Sequence, residues 1–474
     1  MTTTTIAPPV FGNVLDAIGN TPMHEVKKLD AGPCRLFLKL ESQNPGGSIK
    51  DRIGKSMIEA AEASGALRPG STIIEATAGN TGLALALVGA QKGYRTVLVV
   101  PDKMAQEKIF HLRAMGAEVI ITRSDVGKGH PEYYQDMALS LAEKHGYCFI
   151  NQFGNPANPL AHETTTGPEI LAQCEAFGVT PDVVVCGVGS GGTITGLSRF
   201  FERTVPAAEM VLADPEGSVL ADYVRTGRMP DAVGSWLVEG IGEDFLPPVC
   251  DLSRVRHAYT VSDGEAFHIA RELLAAEGIL AGSSSGTLLA AALRHARAQT
   301  EPKTIVTFVC DSGNKYLSKM FNDFWMIDNG FMRTPDRGDL TDLIARKHAE
   351  RHAVTVTPAT PLEQAYRQMK LYDISQLPVL DGDTLVGLLD EEDLLFHVYN
   401  CGGAFEGTAG DVMTTDLRVV EATESLDRVL ALLQRGMVAP VVRDGRFQGL
   451  ITKIDVLNHM RLHGGPPQQG ADLQ

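Results

Sequence analysis

Residues 44–52 read N-P-G-G-S-I-K-D-R, and the rest of the chain is organised around them. A Pro-Gly-Gly turn passes through Ser48 into Lys50, and Ile53, Met57, Ile58 and Ala61 then recur at helical spacing. Lys50 therefore opens a predicted helix, where the positive end of the helix dipole disfavours an added positive charge. Partial burial acts in the same direction, so a lysine held there gives up its proton more readily than a surface lysine. A Schiff-base lysine needs that property. Taken alone, the stretch reads better as an ordinary exposed lysine beside Asp51 and Arg52. The surrounding sequence decides against that reading.

Working outward, residues 36–40 (L-F-L-K-L) form a predicted strand leading into the lysine turn. Strands are then expected at 72–75, 96–100, 117–121, 182–186 and 304–309, and helices at 81–91, 104–115, 131–145 and from 193 onward. Alternation of near-continuous apolar strands with helices predicts an α/β unit, a mainly parallel sheet covered on both faces. Ligands of such sheets bind in loops beyond the C-terminal strand ends.

Two loops of interest lie there. G-V-G-S-G-G-T at 187–193 joins a strand to a helix, and its N–H groups and helix N-terminus make an anion site. Four glycines in seven positions weaken a structure unless something must approach closely. A valine at Gly191 would meet a bound phosphate and leave the fold intact. The loop also fits G-x-G-x-x-G, with Asp214 placed as a ribose-binding acid, so a dinucleotide dehydrogenase is a competing reading. That fingerprint normally follows the first strand of its unit, and several strand–helix pairs precede this one. A dehydrogenase also leaves the lysine turn without a role, whereas a phosphate cradle plus an activated lysine points to pyridoxal phosphate. The second loop, E-A-T-A-G-N-T-G at 75–82, offers hydroxyls, an amide and N–H groups to a carboxylate, or is a helix start capped by Asn80 or Thr81. A-G-S-S-S-G at 281–286 could bring a hydroxyl to a ring nitrogen.

The 474 residues, 44% hydrophobic and 21% charged, predict a soluble chain of more than one domain. A net charge of −16 argues against nucleic acid as partner. The seven cysteines form no C-x-x-C pair and read as reduced, mostly buried residues of a cytoplasmic protein. No signal peptide, membrane span or metal-ligand spacing is readable.

Periodicity fades at 325–337, and a polar helix is predicted at about 339–352. A unit then occurs twice: Pro378 matches Pro440, Gly387 matches Gly449 and Asp393 matches Asp455 at one constant offset. The expected division is a catalytic unit at 1–328, a linker at 329–345, paired repeats at 346–462 (346–400 and 409–462), and a disordered tail at 463–474.

The motifs N-P-G-G-S-I-K-D-R, A-T-A-G-N-T-G, G-S-G-G-T-I-T-G and A-G-S-S-S-G together resemble the tryptophan-synthase-β-like (fold type II) pyridoxal phosphate enzymes. The cysteine synthase and cystathionine β-synthase branch fits best, through N-Q-F-G-N-P-A-N-P-L-A-H-E-T-T-T-G-P-E-I and V-E-G-I-G-E-D-F. The resemblance covers residues 14–329, and the repeat resembles a tandem pair of CBS domains. It implies that Lys50 forms the Schiff base with pyridoxal 5'-phosphate and moves the Cα proton. It implies that Gly189, Ser190, Gly191, Gly192 and Thr193 hold the phosphate, Asn80 the ring hydroxyl and Ser284 the ring nitrogen. Thr77, Ala78, Gly79, Thr81, Gln152 and Gly240 would receive the substrate. The implied reaction is β-replacement on L-serine or O-acetylserine with L-homocysteine, through an aminoacrylate, to give L-cystathionine. The alternatives are an O-acetylserine sulfhydrylase and a catalytically silent nucleotide-sensing scaffold. A homodimer or higher homo-oligomer is implied as well.

The chain departs from relatives at Ala78, where many have serine, and at Glu243, where eukaryotic synthases tend to have tyrosine. Residues 1–20 contain no Cys or His, so no haem is expected. In the second repeat Thr452 and Asp455 match a ribose-holding pattern, implying S-adenosylmethionine or an adenine nucleotide. In the first repeat Asp390 replaces the threonine, and its added negative charge would repel a phosphate.

Overall fold

The computed structural model describes residues 10–77, 79–102, 104, 106–127, 129–230, 232–333 and 337–463. Ala78, residues 1–9 (part of the haem-free N-terminus expected above) and residues 464–474 of the expected tail lie outside the described residues. Two compact units are present, Met1–Phe321 and Asn322–Gln474.

Among the described residues the first unit carries ten strands: β1 Met23–Glu25, β2 Arg35–Lys39, β3 Thr72–Ala76, β4 Arg95–Pro101, β5 Glu118–Thr122, β6 Cys148–Phe149, β7 Val183–Cys186, β8 Glu209–Pro215, β9 Val255–Val261 and β10 Thr304–Phe308. They form two sheets rather than the one expected, ordered β1-β2-β10-β7-β8-β9 and β5-β4-β3-β6. Every pairing is parallel except β1 with β2. Apolar runs such as V-V-V-C of β7, buried at all four positions, announce parallel strands but not which strand is the neighbour. The order places β2, β10 and β7 side by side, so the chain leaving each of their C-terminal ends converges on one place. Ile49 N–H donates to Cys310 O at 2.8 Å, which ties the lysine turn to the end of β10.

In the second unit the repeat is visible in the hydrogen-bond register. Hairpin Gln376–Asp381/Thr384–Asp390 shifts register between Val379 and Leu380, and hairpin Ala439–Arg443/Arg446–Ile451 shifts at the matching Val441 and Val442. Each copy has its own core, one around Leu362, Met369 and Leu377, the other around Val429, Leu432 and Val441. The polar helix expected at 339–352 does not form. A single 3-10 turn, Leu340–Leu343, closed by an Asp339 capping box, gives way to extended backbone at Ile344. Leu340, Leu343 and Ile344 are committed to the second copy's core, and burying them outweighs continuation of the helix.

Candidate active site

Lys50 opens the Lys50–Ala63 helix, as its turn predicts. Its neighbours are not a solvated charged face: Asp51 is 0% and Arg52 4% exposed. Arg52 is held on two carboxylates, Nε to Glu41 Oε2 at 2.7 Å and Nη1 and Nη2 to Glu169 at 2.7 Å each. Lys39 Nζ joins Glu169 Oε2 at 2.8 Å, so two buried cations face two carboxylates. Burial works against ionisation of Glu169, but Arg52 and Lys39 overcome it and hold the acid at about 2. This network anchors the helix whose first residue is Lys50. Burial is the main cause that pulls the Lys50 amine below its ordinary value, opposed by Cys310, Glu243 and Asp311. Of the helix dipole and the burial that the sequence argument invoked, burial is the one seen acting on the amine here.

A cleft of about 1110 Å³ runs along the converging strand ends and brings together Lys50, Thr77, Gly79, Asn80, Thr81, Gln152, Gly189, Ser190, Gly191, Thr193, Gly240 and Ser284. Gly192 lies just behind this lining, as the first residue of the Gly192–Thr204 helix.

The glycine loop fits a phosphate. Gly191 has φ +85° and the helix after it lacks a side-chain cap, so its first N–H groups stay open. A Cβ at Gly192 would lie 1.8 Å from Asn158 Oδ1, and one at Gly189 2.5 Å from Gly240 O. Asn158 Nδ2 donates to Ser190 Oγ at 2.9 Å and to Gln152 O at 2.8 Å, while its Oδ1 is buried without a partner. Thr193 Oγ1 meets His162 Nε2 at 3.2 Å, and burial holds that imidazole neutral, well below its ordinary value. A Cβ at Gly191 would come 2.4 Å from Cys250 Cβ. Valine there therefore strains the fold itself, contrary to the expectation of an intact fold.

The helix after β3, Asn80–Lys92, starts from Gly79 with no side-chain cap. Neither Asn80 nor Thr81 caps it. Asn80 Nδ2 donates to Asp311 Oδ2 at 2.8 Å and its Oδ1 accepts from Lys315 Nζ at 2.6 Å, leaving one amide N–H for a ligand. Thr81 Oγ1 donates to Gln152 Oε1 at 2.7 Å, and Gln152 N–H donates to Glu75 Oε2 at 3.1 Å. Ser284, buried in the first turn of the Ser283–Arg297 helix, stands against Cys310, whose thiol burial pushes up to about 12.

Asp214 does not serve as a ribose acid. It is fully buried and its Oδ2 accepts Ala221 N–H at 2.8 Å, closing the start of the Leu220–Thr226 helix. That removes the dehydrogenase reading. Sequence reasoning missed Asp311, Lys315, Asn158 and His162. The N-P-A-N-P-L-A-H run signalled the last two. Nothing marked Lys315 as a partner of Asn80, 235 residues away.

Residues 14–311 match the family described as pyridoxal-phosphate dependent enzyme, and residues 345–400 and 409–462 match the CBS domain. The chain belongs to the pyridoxal-phosphate-dependent enzymes. It is 42% identical to the cystathionine beta-synthase of Oryctolagus cuniculus over 98% of this chain and 87% of that one. It is 35% identical to that of Dictyostelium discoideum over 95% and 92%. A cysteine synthase of Staphylococcus aureus is 40% identical over 66% of this chain and 97% of its own. Among solved structures, the O-acetylserine dependent cystathionine beta-synthase from Helicobacter pylori has TM-score 0.59 and 37% identity, covering 66% of this chain and 99% of its own. The chain is a cystathionine beta-synthase-like β-replacement enzyme whose cofactor is pyridoxal phosphate.

The second unit holds a cavity of about 640 Å³ between the copies, lined by Arg346, Asp373, Gln376, Phe447, Thr452 and Asp455 among others. Thr452 N–H and Oγ1 donate to Asp455 Oδ2 at 2.7 and 2.6 Å. In the first copy Asp390 and Asp393 cap one another instead. Of the cysteines, Cys174 and Cys186 are buried, Cys401 is exposed and the other four are half-buried, fewer buried than expected; all seven are free. Among the described residues no helix is long and apolar enough to cross a membrane, and no metal-holding cluster occurs.

Proposed function

We propose that the enzyme replaces the β-substituent of L-serine or O-acetylserine with L-homocysteine, giving L-cystathionine. The observation that carries this reading is the likeness to cystathionine beta-synthases along both units, where the cysteine synthase relative spans 66% of the chain. Bound pyridoxal phosphate supplies an electron sink for negative charge at the substrate Cα. The chain does the positioning. N–H groups of Gly189 to Thr193 hold the phosphate, Asn80 and Ser284 fix the ring, and Lys50 takes and returns the Cα proton. Thr77, Gly79, Thr81 and Gln152 hold the substrate carboxylate on the open start of the Asn80–Lys92 helix, with Gly240 across the cleft. Desolvation lowers the proton affinity of the Lys50 amine and so favours the neutral form that can accept that proton.

The cavity lined by Thr452 and Asp455 we assign to an adenosyl ligand, S-adenosylmethionine or an adenine nucleotide, that regulates turnover. The decisive assay offers serine or O-acetylserine with homocysteine or sulfide and compares the four rates. Homocysteine pairs are expected to dominate. A preference for sulfide would make the enzyme an O-acetylserine sulfhydrylase.

A further inference from the structure

Glu243 lines the cleft with no partner for its carboxyl among the described residues. It lines the same cavity as Lys50, and its Oε1 lies 3.9 Å from where a Cβ on Gly189 would be. Its backbone is pinned: the N–H donates to Ser218 Oγ at 3.1 Å, and the carbonyl accepts Ser218 Oγ and Val219 N–H at 3.1 Å each. The carboxyl itself has no hydrogen-bond or ion-pair partner among the described residues. Of the nearby carboxylates, Glu239 is engaged by Lys319 at 2.7 Å and by Lys108, and Asp311 by Asn80 and Tyr316, while Asp244 is exposed to solvent. An unpaired carboxyl on a pinned backbone, lining the same cleft as Lys50 and in electrostatic reach of it, is unusual unless a ligand completes it.

We propose that Glu243 is the acid that protonates the departing hydroxyl of a serine substrate. The proposal rests on the β-replacement reading above. The groups facing this carboxyl are Asp244 on its own segment, Asp214 at the end of β8, Lys50 across the cleft, Tyr133 and Tyr134, and Cys250. Burial first, then Asp244, raise Glu243 to about 8 against the pull of Lys50, so it carries its proton at neutral pH. Acetate leaves without a proton; the hydroxyl of serine leaves as water only if it receives one. In that step the Cα proton passes to Lys50 Nζ and the electron pair of the C–H bond forms the Cα–Cβ double bond. The Cβ–O pair goes to oxygen, which takes the Glu243 proton and departs as water. When the thiol adds, its proton restores Glu243, sulfur bonds Cβ and Lys50 returns the proton to Cα. Both residues end as they began.

The test compares full-length parent, Glu243→Gln and Glu243→Asp with each β-donor. The ratio of serine to O-acetylserine kcat is expected to fall about 100-fold in Glu243→Gln, at the low end of general-acid effects, and to recover in part in Glu243→Asp. Independently of turnover, the parent-minus-Glu243→Gln infrared difference at pH 7, with and without cofactor, should show a carboxylic-acid carbonyl band that titrates away above pH about 8. An unchanged ratio, a missing band, or a parent that uses O-acetylserine alone overturns the proposal. A parent that makes no cystathionine from either donor instead overturns the reaction on which it rests.

Discussion

At the scale of single residues, desolvation is the main cause that lowers the Lys50 amine, and the role proposed for it is read directly by substitution. In the parent, borohydride reduction followed by peptide mass spectrometry should place a pyridoxyl group on Lys50 alone. Lys50→Ala should carry none, and label on another lysine would defeat the assignment. Asp51, next in sequence, makes a different prediction. Burial raises its acid from an ordinary 3.8 to about 7, opposed by Gly46 N–H and Lys315. Because the folded value lies above the unfolded one, its stabilising contribution is full below pH about 4 and is lost as pH rises through about 7. The denaturant midpoint of the cofactor-free parent should therefore fall between pH 4 and 7 relative to Asp51→Asn, which lacks the titration. Parallel pH profiles for the two proteins would refute this. Lys50 was legible from its turn, because a glycine turn into a helix start is local chemistry. The burial of Arg52 was not: Glu41 and Glu169 reach it from 11 and 117 residues away, and periodicity carries no such information.

At the scale of elements, the two helix starts in the cleft lack side-chain caps, and their glycines differ in what they tolerate. Gly79 has φ −99° and a Cβ there would meet nothing within 4 Å. Gly79→Ala should fold and hold cofactor like the parent, yet place a methyl group where the substrate carboxylate docks. Its KM for the amino-acid donor should rise about tenfold, some 1.4 kcal/mol of lost binding, with kcat changed less. An unaltered KM would remove this helix start from the substrate site. Gly191→Val should behave otherwise. It combines φ +85° with a clash against Cys250, so loss of cofactor should come with a lowered thermal midpoint. The strands and helices expected around the lysine turn and the glycine loop do form, since buried parallel strands are written locally. The strands Met23–Glu25, Cys148–Phe149 and Val255–Val261 and the helices Gly167–Ala176, Asp263–Glu277 and Ser283–Arg297 were not anticipated. Strand adjacency was not legible, which is why one sheet was expected where two form. The failed helix at 339–352 has the same origin: its polar composition was read, while the claim of a distant core on Leu340, Leu343 and Ile344 was invisible.

At the scale of the whole molecule, the two copies of the repeat differ at the positions proposed to hold a ligand. The aligned positions are Thr452 with Asp455 and Asp390 with Asp393; only the first pair leaves a carboxyl oxygen beside a hydroxyl on the cavity wall. Burial pushes Asp455 up, and the Thr452 hydroxyl and N–H pull it back, an arrangement suited to accepting from two sugar hydroxyls. A ligand that binds here stabilises the folded unit by about 2.7 kcal/mol at a hundred times its Kd, so binding is measurable whether or not it regulates. Calorimetry with S-adenosylmethionine, AMP and ATP should give heat with at least one of them on the parent. Asp455→Ala should weaken that affinity by about 10- to 100-fold, the loss of one or two charge-assisted hydrogen bonds. Heat from none of the three would leave the paired repeats as architecture, and equal heat from parent and variant would move the site elsewhere. Regulation is the separate claim. If the ligand favours one state of the enzyme, cystathionine turnover must change at saturating ligand by the factor that separates its affinities for the two states. Tight binding with unchanged turnover would reject that claim and leave the site standing.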